Sequence, residues 1–321
     1  MRKSTKVWLI TATALVFGGG IIFAGVMSTL GWDFAKLSTV RYETNTYEIG
    51  ETFSNISLTS DNADIIFALS DDGKCRVECY EEENAKHSAG VENDTLTVKV
   101  NSQKLWYDYI GLSLNSPRIT VYLPKTEYNA LFISESTGNI EIPQDYSFNH
   151  ADISVSTGDI KFFAAAQETV KIKTSTGNIC VEDNSAGTLD LSATTGDVSI
   201  SGVTCNGSVT VGVSIGEAYL TDIVCGSVIS SGSTGDITLS NVIAKEKISV
   251  ERSTGDVKFN GCDAAEIYVR TNTGDVTGSL LSNKAFIADT NLGDVDVPKN
   301  GNGGKCEIIT DVGDIRITVE P

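Results

Sequence analysis

From Ile133 to Ile317, apolar and polar residues alternate with a period of two, and a glycine interrupts the alternation every 19 or 20 residues. The interruption reads Ser-Thr-Gly-Asp or a close variant, at Gly138, Gly158, Gly177, Gly196, Gly216, Gly235, Gly255, Gly274, Gly293 and Gly313. Two positions after the glycine every residue is apolar, from Ile140 to Ile315. Four positions after it all but Gly278 are apolar. Five positions before it stand Ile133, Ile153, Ile172, Leu191, Val211, Val250, Val269 and Ile308, with Ser230 and Ala288 as weaker members. Alternation on both sides of the glycine predicts two short strands per repeat.

The glycine reads as the corner between these strands, where positive φ carries little penalty and the following Asp or Asn can hydrogen-bond its own turn. The residue before the glycine is Thr in most repeats and Ile215, Leu292 or Val312 in the others, a β-favouring set that reads as inward-facing. The residue before that is polar throughout, from Ser136 to Asp311, and reads as outward-facing. By the same parity, the position three before the glycine is inward, and it holds Glu135 and Arg252 among residues such as Val155, Ala193 and Val213. A buried Arg requires a partner, so a local bulge or a near-corner site reaching water is expected there.

A coil of ~20 residues cannot bury a face alone, so such coils stack, each strand pairing with its copy in the next. The expected fold is all-β: a parallel β-solenoid of ~19–20-residue coils, about 45–50 Å long at ~4.8 Å per coil. A β-sandwich is the alternative, but its strands have no reason to recur at constant spacing. Residues 50–130 are less regular. ADIIFAL, CRVECY, DTLTVKV and RITVYL read as strands, and SDNADI resembles a corner with Ala63 in the glycine's place. This region is expected to form the first coils and their cap, leaving 131–321 as the regular solenoid. The insert NSQKLWYDYIGLSLNSP, with Trp106, Tyr107 and Tyr109, reads as a hydrophobic flap over the solenoid or as a binding loop. Pro321 can blunt the last strand.

The N-terminus differs in kind. Residues 1–6 are basic, and residues 7–32 carry no charge. That run would span about 39 Å as a helix at ~1.5 Å per residue, against a bilayer core of ~30 Å. Basic residues on the N-terminal side predict a cytoplasmic tail, a single-pass signal anchor in the cell membrane, a linker over 33–49, and an extracytoplasmic remainder. A cleaved signal peptide is the rival, although no clean Ala-x-Ala site follows. Net charge is −18, which sets nucleic acid aside as a partner.

The Thr-Gly-Asp corners from Gly138 to Gly313 and the single N-terminal span resemble a bacterial "putative adhesin" domain family, a domain of unknown function built as a right-handed β-helix. Some of its members are membrane-anchored and are encoded in cell-envelope-stress operons. The resemblance covers roughly 50–321 and implies a fold; it brings no catalytic residues.

Candidate chemistry is sparse. Seven cysteines do not suggest a disulfide framework, and two histidines, His87 and His150, leave little for metal or triad chemistry. GVSIG at 212–216 matches a nucleophile motif, but Ser214 is an outward repeat position and a strand follows where a helix is required. Asp197, Glu217, Asp236, Asp256, Asp275, Asp294 and Asp314 are expected to follow one another in adjacent coils, ~4.8 Å apart. Such a ladder needs relief. Each carboxylate capping its own turn is the simplest form; a weak calcium site along the ladder is the sharper one. Otherwise no cofactor is expected. A uniform ladder marks no special pair for glycoside chemistry. Cys205 and Cys225 are expected to stack in adjacent coils, as buried thiols or as a disulfide. The expected function is a non-enzymatic binding or scaffold role at the cell envelope, towards an envelope protein or a wall component. An envelope-stress regulator with a membrane partner and a polysaccharide-acting β-helix enzyme are the alternatives.

Overall fold

A computed structural model describes residues 3–33, 40–102, 115–299 and 301–320. Helix α1 (Lys3–Thr29) precedes an all-β body. The N-terminal strands are β1 (Tyr42–Ile49), β2 (Asn55–Asn62), β3 (Asp64–Leu69), β4 (Cys75–Glu82), β5 (Ala85–Glu92), β6 (Thr95–Ser102), β7 (Arg118–Leu123), β8 (Glu127–Thr137) and β9 (Ile140–Ile142). From β8 onwards the chain forms a parallel β-solenoid, each coil pairing in register with its copy. Ile133, Ile153, Ile172, Leu191 and Val211 are successive partners along one ladder. Ile65, Ile140, Ile160, Ile179, Val198, Ala218, Ile237, Val257 and Val276 form another. Both ladders are buried and make the core.

The corners explain their glycines. At Gly196 φ is +135°, and an added Cβ would sit 2.0 Å from the carbonyl oxygen of Gly177 in the coil below. No side chain fits at that spacing. Ala63 does take the first corner: the Thr137 carbonyl accepts its N–H, Gly138 rests on its carbonyl, and its own φ is not positive.

Three expectations are corrected. The residue before each glycine faces outward: the threonines there are exposed, as are Ile215 (56% exposed), Leu292 (68%) and Val312 (44%). The chain bends at the corner, so two successive side chains lie on its convex side and strict alternation fails. Secondly, residues 42–49 of the expected linker form β1, which pairs antiparallel with β4. β4 pairs antiparallel with β7, and β5 with β6, so antiparallel strands extend both ladders past the Ala63 corner.

Thirdly, coil order departs from chain order at the far end. Lys305–Val312 pairs with Val257–Thr273 on one side and with Ala285–Leu292 on the other. The coil of Gly313 therefore lies between those of Gly274 and Gly293. The edge belongs to Ala285–Leu292 and Val295–Asp296, where Ile287 and Val295 are exposed, and, beyond Arg316, to the segment leading to Pro321, which has a strand partner on that side only at Ile315 and Arg316. Pro321 itself lies outside the described residues.

Candidate functional site

The stacked corners build the largest repeated polar feature. Asp197 accepts the backbone N–H of Glu217 at 2.8 Å, Asp236 that of Asp256 at 2.8 Å, and Asp256 that of Asp275 at 2.8 Å. Asp275 accepts the N–H of Asp314 at 2.7 Å, and Asp314 that of Asp294 at 2.8 Å. Asp64, Asn139, Asp159 and Asn178 continue the series towards the cap. The side chain thus caps the following coil's corner instead of its own turn, because corner N–H groups point along the stacking axis. This relieves the like-charge ladder at Asp197, Asp236, Asp256, Asp275 and Asp314, each of which faces the positive end of a backbone dipole. From Asp64 to Asp197 acids also alternate with asparagines. For Asp314, the N–H of Asp294, aided by Arg316, holds the carboxyl below its ordinary range. Glu217 is one methylene longer, and its carboxylate takes the Tyr219 hydroxyl. A cation on this ladder would compete with the backbone for Oδ1. Ser214 faces outward beside its corner, and Trp106, Tyr107 and Tyr109 lie outside the described residues.

Glu135 and Arg252 do not reach water: each is 3% exposed. The Arg252 guanidinium occupies space left by Gly232 and donates to Ser230 Oγ at 3.1 Å, with the Val213 carbonyl at 3.5 Å. That accounts for Ser230 in an otherwise apolar ladder. Burial lowers the Arg252 pKa, and the Asp236 carboxylate offsets only part of that desolvation. Cys205 and Cys225 are buried free thiols in a small-residue ladder with Ala186, Ala244 and Ala264.

The second polar feature, absent from the repeat, sits inside the N-terminal cap. β4 alternates so that Cys75, Val77, Cys79 and Glu81 all face inward. A tight turn then brings His87, on β5, back to Glu81. One Glu81 oxygen accepts both the backbone N–H and Nδ1 of His87, each at 2.6 Å. The other accepts Asn45 Nδ2 at 2.7 Å. The Tyr47 hydroxyl donates to the His87 carbonyl. On the far side of the ring, His87 Nε2 lies 3.0 Å from the Ser60 hydroxyl. Ser60 is the Cα partner of Glu135. Glu135 accepts the Thr137 N–H at 3.2 Å with one oxygen, while the other has no partner, and burial pushes its pKa up to about 7.

Ser60, His87 and Glu81 have the order of a Ser-His-acid relay. Their exposures of 3%, 5% and 1% seal Ser60 from any acyl substrate, so in this conformation the relay is structural. Among the described residues, one group of ligand-bearing side chains converges as a metal site requires: Cys79, Glu81 and His87, with one ligand atom of each within 4.8 Å of the others. A count of two histidines gives no sign of this knot; the signal in the sequence is parity along CRVECYEE, which puts Glu81 on the inward face with Cys75 and Cys79.

The chain belongs to the Toastrack DUF4097 family, whose profile matches residues 53–217 and 206–321. No curated protein matches. Similar solved structures include a "putative adhesin" from Bacteroides fragilis, 17% identical, covering 87% of this chain and 97% of its own, with a TM-score of 0.46. A "putative lipid binding protein" from Parabacteroides distasonis is 18% identical over 75% of this chain and 95% of its own, with a TM-score of 0.49. A "putative adhesin" from Parabacteroides distasonis is 12% identical over 87% and 98%, also at 0.49.

Proposed function

We propose that this protein is a single-pass, membrane-anchored, extracytoplasmic scaffold that holds an envelope protein or wall component along its solenoid, without catalytic turnover. The observation that carries this reading is the helix at Ser4–Thr29, whose most apolar 18-residue window has a mean hydropathy of 2.1 and no residue buried against the protein. A helix with that much exposed apolar surface needs a lipid environment or another helix. Basic residues precede it, which favours an outward-facing body. The body contributes long outer faces that repeat from coil to coil. That suits contact spread over several coils better than chemistry at one point.

The test is cross-linking in intact cells of the native host, followed by identification of what is attached. A discrete envelope protein or wall glycan attached to the solenoid supports the reading. Recovery of the body in the culture medium with residues 1–32 removed overturns the anchor. Replacing residues 7–32 by an unrelated span separates the roles: a pure scaffold keeps its partner, whereas a regulator acting through the membrane loses its effect.

A further inference from the structure

We propose that Cys79, Glu81 and His87 form a binding site for a divalent transition-metal ion of the zinc class. The donor set is the first argument. One thiol, one imidazole and one carboxylate are the ligands that zinc-class ions take together, whereas calcium and magnesium sites are built from oxygen. The three are 0%, 1% and 5% exposed and belong to no repeat position of the solenoid. Their ligand atoms lie within 4.8 Å of one another; metal bonds of ~2.0–2.3 Å require the widest separations to close, and the 2.6 Å contact between Glu81 and His87 Nδ1 to open, each by about an ångström.

Charge is the second argument. Glu81 is buried with no Lys or Arg among its hydrogen-bond partners, which are the Asn45 amide, the His87 backbone N–H and His87 Nδ1. With Cys79 as thiolate and Glu81 ionised, a dication leaves the site with no net charge, which suits a dry interior.

The supporting groups are the third. Asn45 fixes one Glu81 oxygen, Tyr47 fixes the His87 backbone, and Ser60 faces the other ring nitrogen, as outer-shell groups of metal sites do. Binding balances as follows. Cys79 loses its thiol proton to solvent as sulfur bonds the metal. The His87 proton leaves Nδ1 and one is taken up at Nε2, where Ser60 Oγ accepts it, so Nδ1 is free to ligate. Glu81 exchanges its contact with Nδ1–H for the metal. One proton is released per ion bound, and water completes the fourth position. Nothing is oxidised or reduced.

The experiment uses the full chain in detergent, stripped with a chelator and titrated with cobalt(II) and then zinc(II). One equivalent of cobalt should bind with a thiolate-to-cobalt charge-transfer band and the intense visible bands of a tetrahedral site, and zinc should displace it. Cys79→Ser should abolish the charge-transfer band, and His87→Gln should weaken cobalt binding by roughly tenfold or more. Cys75→Ser, on the same strand face but outside the group, should change neither. A folded wild-type chain that shows no charge-transfer band overturns the proposal, whatever the variants do. So does a band that survives Cys79→Ser, or one that is lost in Cys75→Ser.

Discussion

Gly313 rests on Gly274, and Gly293 rests on Gly313: an added Cβ would stand 2.1 Å from the carbonyl oxygen beneath in both cases. Two segments adjacent in the chain are thereby exchanged in space. In the described structure Ala285–Leu292 and Val295–Asp296 pair only with the segment that follows them. Deleting residues 301–321 should therefore release 285–297 as well, although those residues are intact. Limited proteolysis should cut within 281–299 of the truncated protein and spare the coils before Val276. Protection of 285–297 in the truncated chain would contradict the exchanged order.

The corner glycines differ from the others in what their substitution costs. Gly196→Ala meets both a positive φ and a carbonyl oxygen at 2.0 Å, and should destabilise by about 3 kcal/mol or more. Gly212→Ala meets nothing nearer than 3.8 Å and should stay within about 0.5 kcal/mol of wild type. Chemical denaturation of the two variants measures the contrast, and equal losses would remove the stacking argument.

At a ladder acid, geometry matters more than charge. Asp256→Asn keeps an acceptor for the N–H of Asp275 and should be close to neutral, whereas Asp256→Ala should lose about 1–2 kcal/mol. The reverse ranking in thermal denaturation would mean that charge, and not the coil-to-coil hydrogen bond, selects the residue.

Glu135 gives the cap a pH dependence. Its ordinary value is 4.5 and burial raises it to about 7, so the folded state holds this proton more tightly than the unfolded chain. Stability from this group is greatest below about 4.5, falls as pH rises towards 7 and levels off above. Glu135→Gln should remove that slope and leave the protein more stable than wild type at pH above 7. Parallel stability curves for the two proteins between these limits would show that the carboxyl titrates normally.

Thiol counting tests the cysteines. Six of the seven are buried, and Cys180 is half-buried. Burial raises Cys75, Cys79, Cys225 and Cys306 to about 12, which leaves little thiolate at neutral pH. The native protein should offer Cys180 at most to a thiol reagent, and all seven should react in denaturant without reductant. Five would reveal a disulfide, with Cys205 and Cys225 the stacked pair in a position to form it.

The solenoid and its corners were legible because the stacking constraint acts on every coil and writes the same glycine each time. Ala63 was legible for the same reason, and so was the Ala186–Cys205–Cys225–Ala244–Ala264 ladder. What escaped depends on geometry that periodicity does not encode. Thr137 and its equivalents point outward because the chain bends where the parity count assumes it is straight. Arg252 sits inside because Ser230 and Gly232, in the coil before, make room for it. The knot at His87 joins four strands, β1, β2, β4 and β5, from the region without repeats, so only β4 carried a local sign of it. The exchange of the last two coils leaves no mark, since both carry equally good corners.

That exchange sets the order of synthesis against the order of assembly. A growing solenoid can add each coil as it emerges, using the one before as template. Here residues 285–297 emerge before the surface they rest on exists. They must wait, unpaired, with Phe286, Ala288 and Val297 off the core, until 305–319 has followed. Up to Leu280 the rod can extend coil by coil; beyond it, two coils are completed in one concerted step.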